Sequence, residues 1–207
     1  MEIELKYKIP TQQIADAIWE NSLFASAEEA ESREELCLDA RYFDTKDCDL
    51  AKNEIAYRVR REGDRWVASL KWKGHSEDGL HMREYIKVPV VEDSANPIVF
   101  NESEIGKEIM EALGDKELHC FLETRFQRRR FRIDTNTGIV ELSIDQGTII
   151  TEYGEAPISE VEIELFSGET EELVKLGEKL QKQYQLEPED ISKYARGIAL
   201  IEENQSR

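Results

Sequence analysis

Residues 2–9 read Glu-Ile-Glu-Leu-Lys-Tyr-Lys-Ile, alternating charged and apolar positions without a break. An extended strand repeats its faces every two residues, so Glu2, Glu4, Lys6 and Lys8 share one face, and Ile3, Leu5, Tyr7 and Ile9 share the other. Later segments repeat the design with Arg, Lys, Glu or Asp on alternate positions. A face charged along its whole length is stable only against water, a metal or a charged ligand. Closing the sheet around that face makes a hydrophilic tunnel.

Further strands are predicted at 36–43, 55–62, 65–73, 81–90, 118–134, 138–145, 147–153 and 158–166. Asp44-Thr45-Lys46-Asp47 ends one of them, Glu62-Gly63-Asp64 joins a hairpin, and residues 74–79 form another turn. After Pro10, Thr11 starts a helix to about residue 22, with Ile14, Ile18 and Trp19 on its apolar stripe. Residues 25–35 either extend that helix or form an acidic linker. Helical spacing recurs over 102–113, stopped by Gly114, and over 170–184, where Leu173, Leu176 and Leu180 point inward. A short last helix spans 192–202, with Tyr194, Ile198 and Ile201 as its docking stripe. Antiparallel hairpins with peripheral helices define an α+β class. No repeat or Pro/Gly linker divides the chain, so one domain over 1–202 and a tail at 203–207 are expected.

The 207 residues carry a net charge of −18, and the pI is 4.7. Such a surface repels nucleic acid and anionic membrane. The cations gather in 58–87 and 125–132, which points to a small, strongly anionic ligand held inside an acidic exterior. Cys37, Cys48 and Cys120 are odd in number and lack CxxC spacing, as expected of free thiols in a reducing compartment. There is no apolar leader and no run of membrane-spanning length, so a soluble, cytoplasmic protein is expected.

Two constellations could carry chemistry. The acids are Glu2 and Glu4, then Asp145 at the end of an alternating run, then Glu160, Glu162 and Glu164 with Val161, Ile163 and Leu165 opposite. One ExE pair is usually a solvated strand face. Two such sets, each backed by apolar residues, suit hard-oxygen ligation of Mg²⁺ or Mn²⁺. The bases are Arg58 with Arg60, Lys71 with Lys73, Arg83 with Lys87, and Arg128 with Arg130. Surface ion pairing accounts for Arg61, Arg65, Arg129 and Arg132; same-face rows of cations instead match phosphate oxygens. His75, His81 and His119 are isolated, with no zinc spacing, and no nucleophile elbow, Walker A or GxGxxG loop is present. Ser192 reads as a helix cap.

The combination of Glu2-x-Glu4-x-Lys6, Tyr42-Phe43-Asp44-Thr45, Tyr57-Arg58-Val59-Arg60, Ser69-Leu70-Lys71-Trp72-Lys73, Arg83-Glu84, Leu142-Ser143-Ile144-Asp145-Gln146-Gly147, Ser159-Glu160-Val161-Glu162-Ile163-Glu164-Leu165 and Ser192-Lys193-Tyr194-Ala195-Arg196-Gly197 resembles the CYTH superfamily of triphosphate tunnel metalloenzymes, most of all its bacterial inorganic triphosphatases. The resemblance implies an eight-stranded antiparallel barrel with a hydrophilic interior. It implies that Glu2, Glu4, Asp145, Glu160 and Glu162 bind Mg²⁺ or Mn²⁺, with two ions in the catalytic complex. Lys6, Arg58, Arg60, Lys71, Lys73, Arg83 and Arg128 would contact triphosphate, with Arg130 a neighbouring candidate; the Arg128–Arg130 run admits two registers one residue apart. Glu160, Glu162 and Lys193 would serve catalysis, Lys193 reaching in to close one end. Glu164 has the right parity but stands where the strand should leave the tunnel. The implied reaction is hydrolysis of inorganic triphosphate to pyrophosphate and phosphate. The alternatives are an adenylate cyclase, a thiamine triphosphatase with Trp66 as its aromatic platform, or a non-catalytic module binding triphosphate or polyphosphate. The oligomeric state is left open.

Overall fold

Burial of the apolar alternate positions decides which way each strand faces. The computed structural model describes residues 1–21, 24, 26–135 and 137–205. Its main strands are β1 (Glu2–Lys8), β2 (Glu34–Asp44), β3 (Ala56–Glu62), β4 (Arg65–Glu77), β5 (Leu80–Val90), β6 (His119–Asp134), β7 (Ile139–Thr151) and β8 (Gly154–Ser167). They run in the order β5-β4-β3-β2-β6-β7-β8-β1, and β1 pairs antiparallel with β5 to close an eight-stranded barrel. Closure leaves these strands without a free edge. A two-residue strand, β9 (Glu187–Pro188), adds to β1 at Tyr7 and Lys8.

Helices cover the outside of the barrel. Helices α1 (Gln12–Trp19) and α4 (Thr170–Tyr184) set Ile18, Leu173 and Leu180 against Leu5, Phe131, Ile144 and Val161. On another flank α2 (Asp49–Lys52), a 3₁₀ turn (Pro97–Phe100) and α3 (Glu104–Leu113) place Leu50, Phe100 and Ile109 on Tyr57, Val59 and Leu70. Burying each large apolar side chain is worth about 1.5–3 kcal/mol. A one-residue register slip would turn all of them into the bore and the charges into the core, so the register is firmly set.

The two strands expected at 138–145 and 147–153 are one. Gly147 does not break the ladder: a Cβ there would lie 2.1 Å from the Arg125 carbonyl oxygen, so the glycine marks close approach of β6. β4 runs to Glu77, through the turn expected at 74–79, because a bulge between Trp72 and His75 lets its ladder with β5 continue. α1 stops at Trp19; residue 22, its expected end, lies outside the described residues, as does Ala25. The described residues 26–33 are not helical, and Glu28 makes an isolated bridge to Ile133.

The last helix, α5 (Lys193–Gln205), runs past residue 202 into the expected tail. It seats on a third apolar cluster that includes Leu38, Tyr42, Leu122, Phe126 and Ile149, with Tyr194 and Leu200 packed on it. A Cβ on Gly197 would lie 1.5 Å from Leu122 Cδ1. The docked stripe is therefore Tyr194, Gly197 and Leu200, not Tyr194, Ile198 and Ile201, because glycine allows the closest approach there. Tyr42 and Phe126 also line the bore, so its interior is charged over one part and apolar where α5 seats.

Candidate active site in the barrel bore

The bore holds a cavity of about 330 Å³. β1 presents Glu2, Glu4 and Lys6 to it; β3 presents Arg58 and Arg60; β4 and β5 add Lys71, Arg83 and Lys87. Across the ring, Arg128 of β6, Glu162 and Glu164 of β8 and Lys193 of α5 complete the wall.

Asp145, Glu160 and Glu162 are all buried, and one carboxylate oxygen from each lies within 4.8 Å of the others. The ladder makes the cluster, since Asp145 of β7 stands opposite Glu160 of β8, with Glu162 one inward position further on. Four cations neutralise it. Lys193 Nζ lies 2.7 Å from Asp145 and 2.9 Å from Glu162, and it also pairs with Glu160. Lys6 Nζ is 2.9 Å from Glu162 and 3.5 Å from Glu160. Arg128 donates to both oxygens of Asp145, at 2.7 and 2.6 Å, and to Glu162 at 2.5 Å. Arg196 holds the second oxygen of Glu160.

Burial works against charge on Glu162, but Lys193, Lys6 and Arg128 outweigh it and hold the carboxyl well below the usual range. Burial likewise works against the Lys6 ammonium, and Glu162, Glu160 and Glu4 raise its pKa above the usual lysine value. Glu162 reaches the cavity wall, whereas Asp145 and Glu160 stand behind Lys6, Arg128 and Lys193, which do line it. Three convergent hard oxygens, each already bound to a cation, fit a divalent ion in the lysines' place.

A second acidic row lies on β1. Glu2 is 2.5 Å from Lys71 Nζ and 3.6 Å from Arg83 Nε. Burial opposes its charge, yet Lys71 and Arg83 pull Glu2 down to about 2. Glu4 lies 3.2 Å from Arg83 and 3.5 Å from Lys6. Glu164 stands opposite Glu4 in the ladder and lines the cavity, rather than leaving the tunnel. Burial, then the nearby Glu2 charge, push it up to about 7.

The cavity wall gathers most of the expected residues; Asp145 and Glu160 stand behind it, and Lys73 and Arg130 lie away from it. Lys73 is exposed, with φ 50° at the bulge of β4, where the inward-outward alternation is reset. Arg130 has inward parity, but its guanidinium is held by Glu34 at 2.6 Å and Glu141 at 3.3 Å, beyond the cavity. The ladder settles the register of that run: Arg128 faces Asp145, and Arg129 turns outward to Asp16. Arg61 and Arg65 are both exposed: Arg61 by its outward parity, Arg65 because it stands at the hairpin end of β4, although it shares parity with Ser69 and Lys71.

Lys87, placed in a basic row with Arg83 from sequence but given no triphosphate contact, lines the cavity. Sequence reasoning missed two further residues. Arg196 lies one helical turn after Lys193 and reaches Glu160. Buried His81 has one tautomer open to it: Nε2–H donates to the Glu189 carbonyl at 2.7 Å, and Nδ1 accepts from the Arg83 guanidinium at 2.9 Å. Burial, then the Lys6 charge, hold His81 below the usual histidine range. Trp66 packs on the α3 side of the core, whereas Trp72 lines the cavity. The three cysteines are unpaired thiols.

A closed antiparallel barrel with a charged bore defines a tunnel protein. The chain matches the CYTH domain family over residues 1–198, and it belongs to that family. It is 31% identical over 199 residues to a Haemophilus influenzae protein named inorganic triphosphatase, covering 96% of this chain and 54% of that protein. The chain thus spans about half the length of the curated relative it matches. Among solved structures it resembles a Hippeastrum protein described as an adenylyl cyclase with a dominant triphosphatase activity, with a TM-score of 0.72, 23% identity and 96% of each chain covered. A Bacillus halodurans protein described as an adenylate cyclase shares the fold at a TM-score of 0.57 and 17% identity, covering 93% of this chain and 94% of that one. Among the described residues no helix is long and apolar enough to cross a membrane.

Proposed function

We propose that the protein is a divalent-metal-dependent hydrolase that splits inorganic triphosphate into pyrophosphate and phosphate. The observation that carries this reading is a cavity lined by rows of cations, with a buried, convergent carboxylate trio that reaches it through Glu162. The name of the Haemophilus influenzae relative agrees with it. Phosphoryl transfer asks little covalent chemistry of a protein; it needs in-line positioning and neutralised charge.

In this reading Lys6, Arg58, Arg60, Lys71, Arg83 and Arg128 hold the phosphate oxygens. Asp145, Glu160 and Glu162, together with Glu2 and Glu4, hold Mg²⁺ or Mn²⁺, two ions in all. When bound, such ions neutralise phosphoryl charge and make water more acidic. Glu160 or Glu162 orients the attacking water and takes its proton. The new P–O bond forms as the bridging P–O bond breaks, and pyrophosphate leaves with the electron pair. Lys193, already among the carboxylates, shifts its charge to the phosphoryl oxygens once the substrate is in place. The unpaired thiols fit a reducing compartment such as the cytoplasm.

Turnover of tripolyphosphate with Mg²⁺ or Mn²⁺, set beside ATP and thiamine triphosphate, tests the proposal. Tripolyphosphate should be the best substrate and a chelator should abolish its hydrolysis. The comparison matters because Tyr42, Trp72, Phe126 and Tyr194 line the cavity and offer aromatic faces to an organic triphosphate. Faster hydrolysis of thiamine triphosphate would reassign the substrate, and none with any of the three would refute the proposal.

The basic rows should bind polyanion even where chemistry is blocked. In metal-free buffer, calorimetry should detect tripolyphosphate binding that weakens with salt. Two charge-assisted hydrogen bonds at about 1.5–3 kcal/mol each make the expected loss for Arg58→Ala with Arg60→Ala at least a hundredfold. Arg61→Ala with Arg65→Ala, both exposed and outside the cavity lining, should change it less than threefold, or about 0.7 kcal/mol. Equal losses from the two pairs would show that the bore is not the binding site.

A further inference from the structure

Arg58, Ser69 and Lys87 form one rung of the barrel. Arg58 pairs with Ser69 across β3 and β4, and Ser69 pairs with Lys87 across β4 and β5. All three line the cavity. Ser69 is only 1% exposed, and neither its hydroxyl oxygen nor Arg58 Nε has a hydrogen-bond partner in the protein.

A buried hydroxyl without a partner is costly, and such groups tend to stand where a ligand completes them. The neighbours of Ser69 along the rung are both cations, which donate hydrogen bonds and accept none. The group that satisfies the serine hydroxyl, the guanidinium Nε–H and the lysine ammonium together is an anion with several acceptor oxygens. Thr124 Oγ1 is also unpartnered and buried, but Thr124 does not line the cavity. It is an internal contrast for the same chemistry.

We propose that Ser69 contacts the substrate: with Arg58 Nε–H and the Lys87 ammonium, its hydroxyl forms a subsite for one phosphoryl group of a tri- or polyphosphate. This rests on reading the bore as a triphosphate site. In the ring order, β4 lies four strands from β7, which puts the subsite on the wall opposite Asp145. A linear phosphate chain then spans the bore, with its reacting end at the carboxylates and its far end on the Ser69 rung. Ser69 acts as a hydrogen-bond donor to a non-bridging phosphoryl oxygen, a role that alanine cannot fill.

The test is tripolyphosphate binding by calorimetry in metal-free buffer, together with thermal melting of the ligand-free protein. Ser69→Ala should weaken binding about tenfold, equivalent to about 1.4 kcal/mol. Its melting temperature should stay the same or rise, because no hydrogen bond within the protein is lost. Thr124→Val should bind as the wild type does. Ser69→Ala binding within twofold of wild type would overturn the proposal. So would a melting temperature several degrees lower, which would make the hydroxyl a structural group, or an equal loss of binding in Thr124→Val. If the wild type itself fails to bind tripolyphosphate, the triphosphate reading of the bore falls, and the subsite with it. Loss confined to Ser69→Ala supports the subsite whatever the metal and the reaction prove to be.

Discussion

Asp145→Asn should cut metal-supported tripolyphosphate hydrolysis by about a thousandfold or more, a barrier increase of about 4 kcal/mol. Asp145 is fully buried and meets Glu160 and Glu162 in one cluster. The amide keeps the shape and one acceptor oxygen, so one contact with Arg128 can survive. What it removes is a negative charge where charge holds the ion. Metal-free binding of tripolyphosphate should persist or tighten, because the cations that now neutralise Asp145 are released toward the cavity. The two readouts thus move apart: turnover collapses while polyanion binding does not. Turnover within about threefold of wild type, a barrier change under roughly 0.7 kcal/mol, would remove Asp145 from the metal site.

Lys193→Ala should reduce turnover and, in metal-free protein, lower the melting temperature by about 10 °C. Its ammonium contacts Asp145, Glu160 and Glu162 at once, so its loss leaves buried carboxylates one cation short. Removing one partner of a buried ion pair costs about 3–5 kcal/mol, and each kcal/mol shifts a protein of this size by about 2–4 °C. A divalent ion would restore the missing charge. Mg²⁺ or Mn²⁺ should therefore raise the melting temperature of Lys193→Ala more than that of the wild type. From sequence, Lys193 stands free at a tunnel mouth and its removal should not disturb the fold; its burial among three acids changes that expectation. An unchanged melting temperature with full activity would strike it from the site.

Period-two alternation carried the barrel strands and much of the bore. Glu2, Glu4, Lys6, Arg58 and Arg60 are in the cavity wall because Leu5, Tyr7, Tyr57 and Val59 are in the outer core. Parity gives the side of a strand but not the depth along the bore, which is why Arg130 falls beyond the cavity and Glu164 falls within it. Parity also fails across a bulge, which is how Lys73 came to point outward. Gly147 misled for a different reason: glycine reads as a break in sequence, yet here it serves close packing of strand on strand. Gly197, inside the expected helix, was passed over for the docking stripe because it has no side chain, yet it gives the closest approach of helix to strand. His81 carried no local signal, because its bond to Glu189 spans 108 residues.

The barrel's closing strand is also its earliest. β1 needs β5 on one side and β8 on the other, and β8 is made some 150 residues later. At about 5–20 residues per second, a ribosome leaves Glu2–Lys8 waiting on the order of ten seconds for that second partner. During the wait an amphipathic strand has its apolar face uncovered and its charged face unmatched. Contacts so distant in sequence make closure a late and slow event. The charges of Glu2, Glu4 and Lys6 then have a second use, as a guard against the strand pairing with another chain before its own barrel is ready.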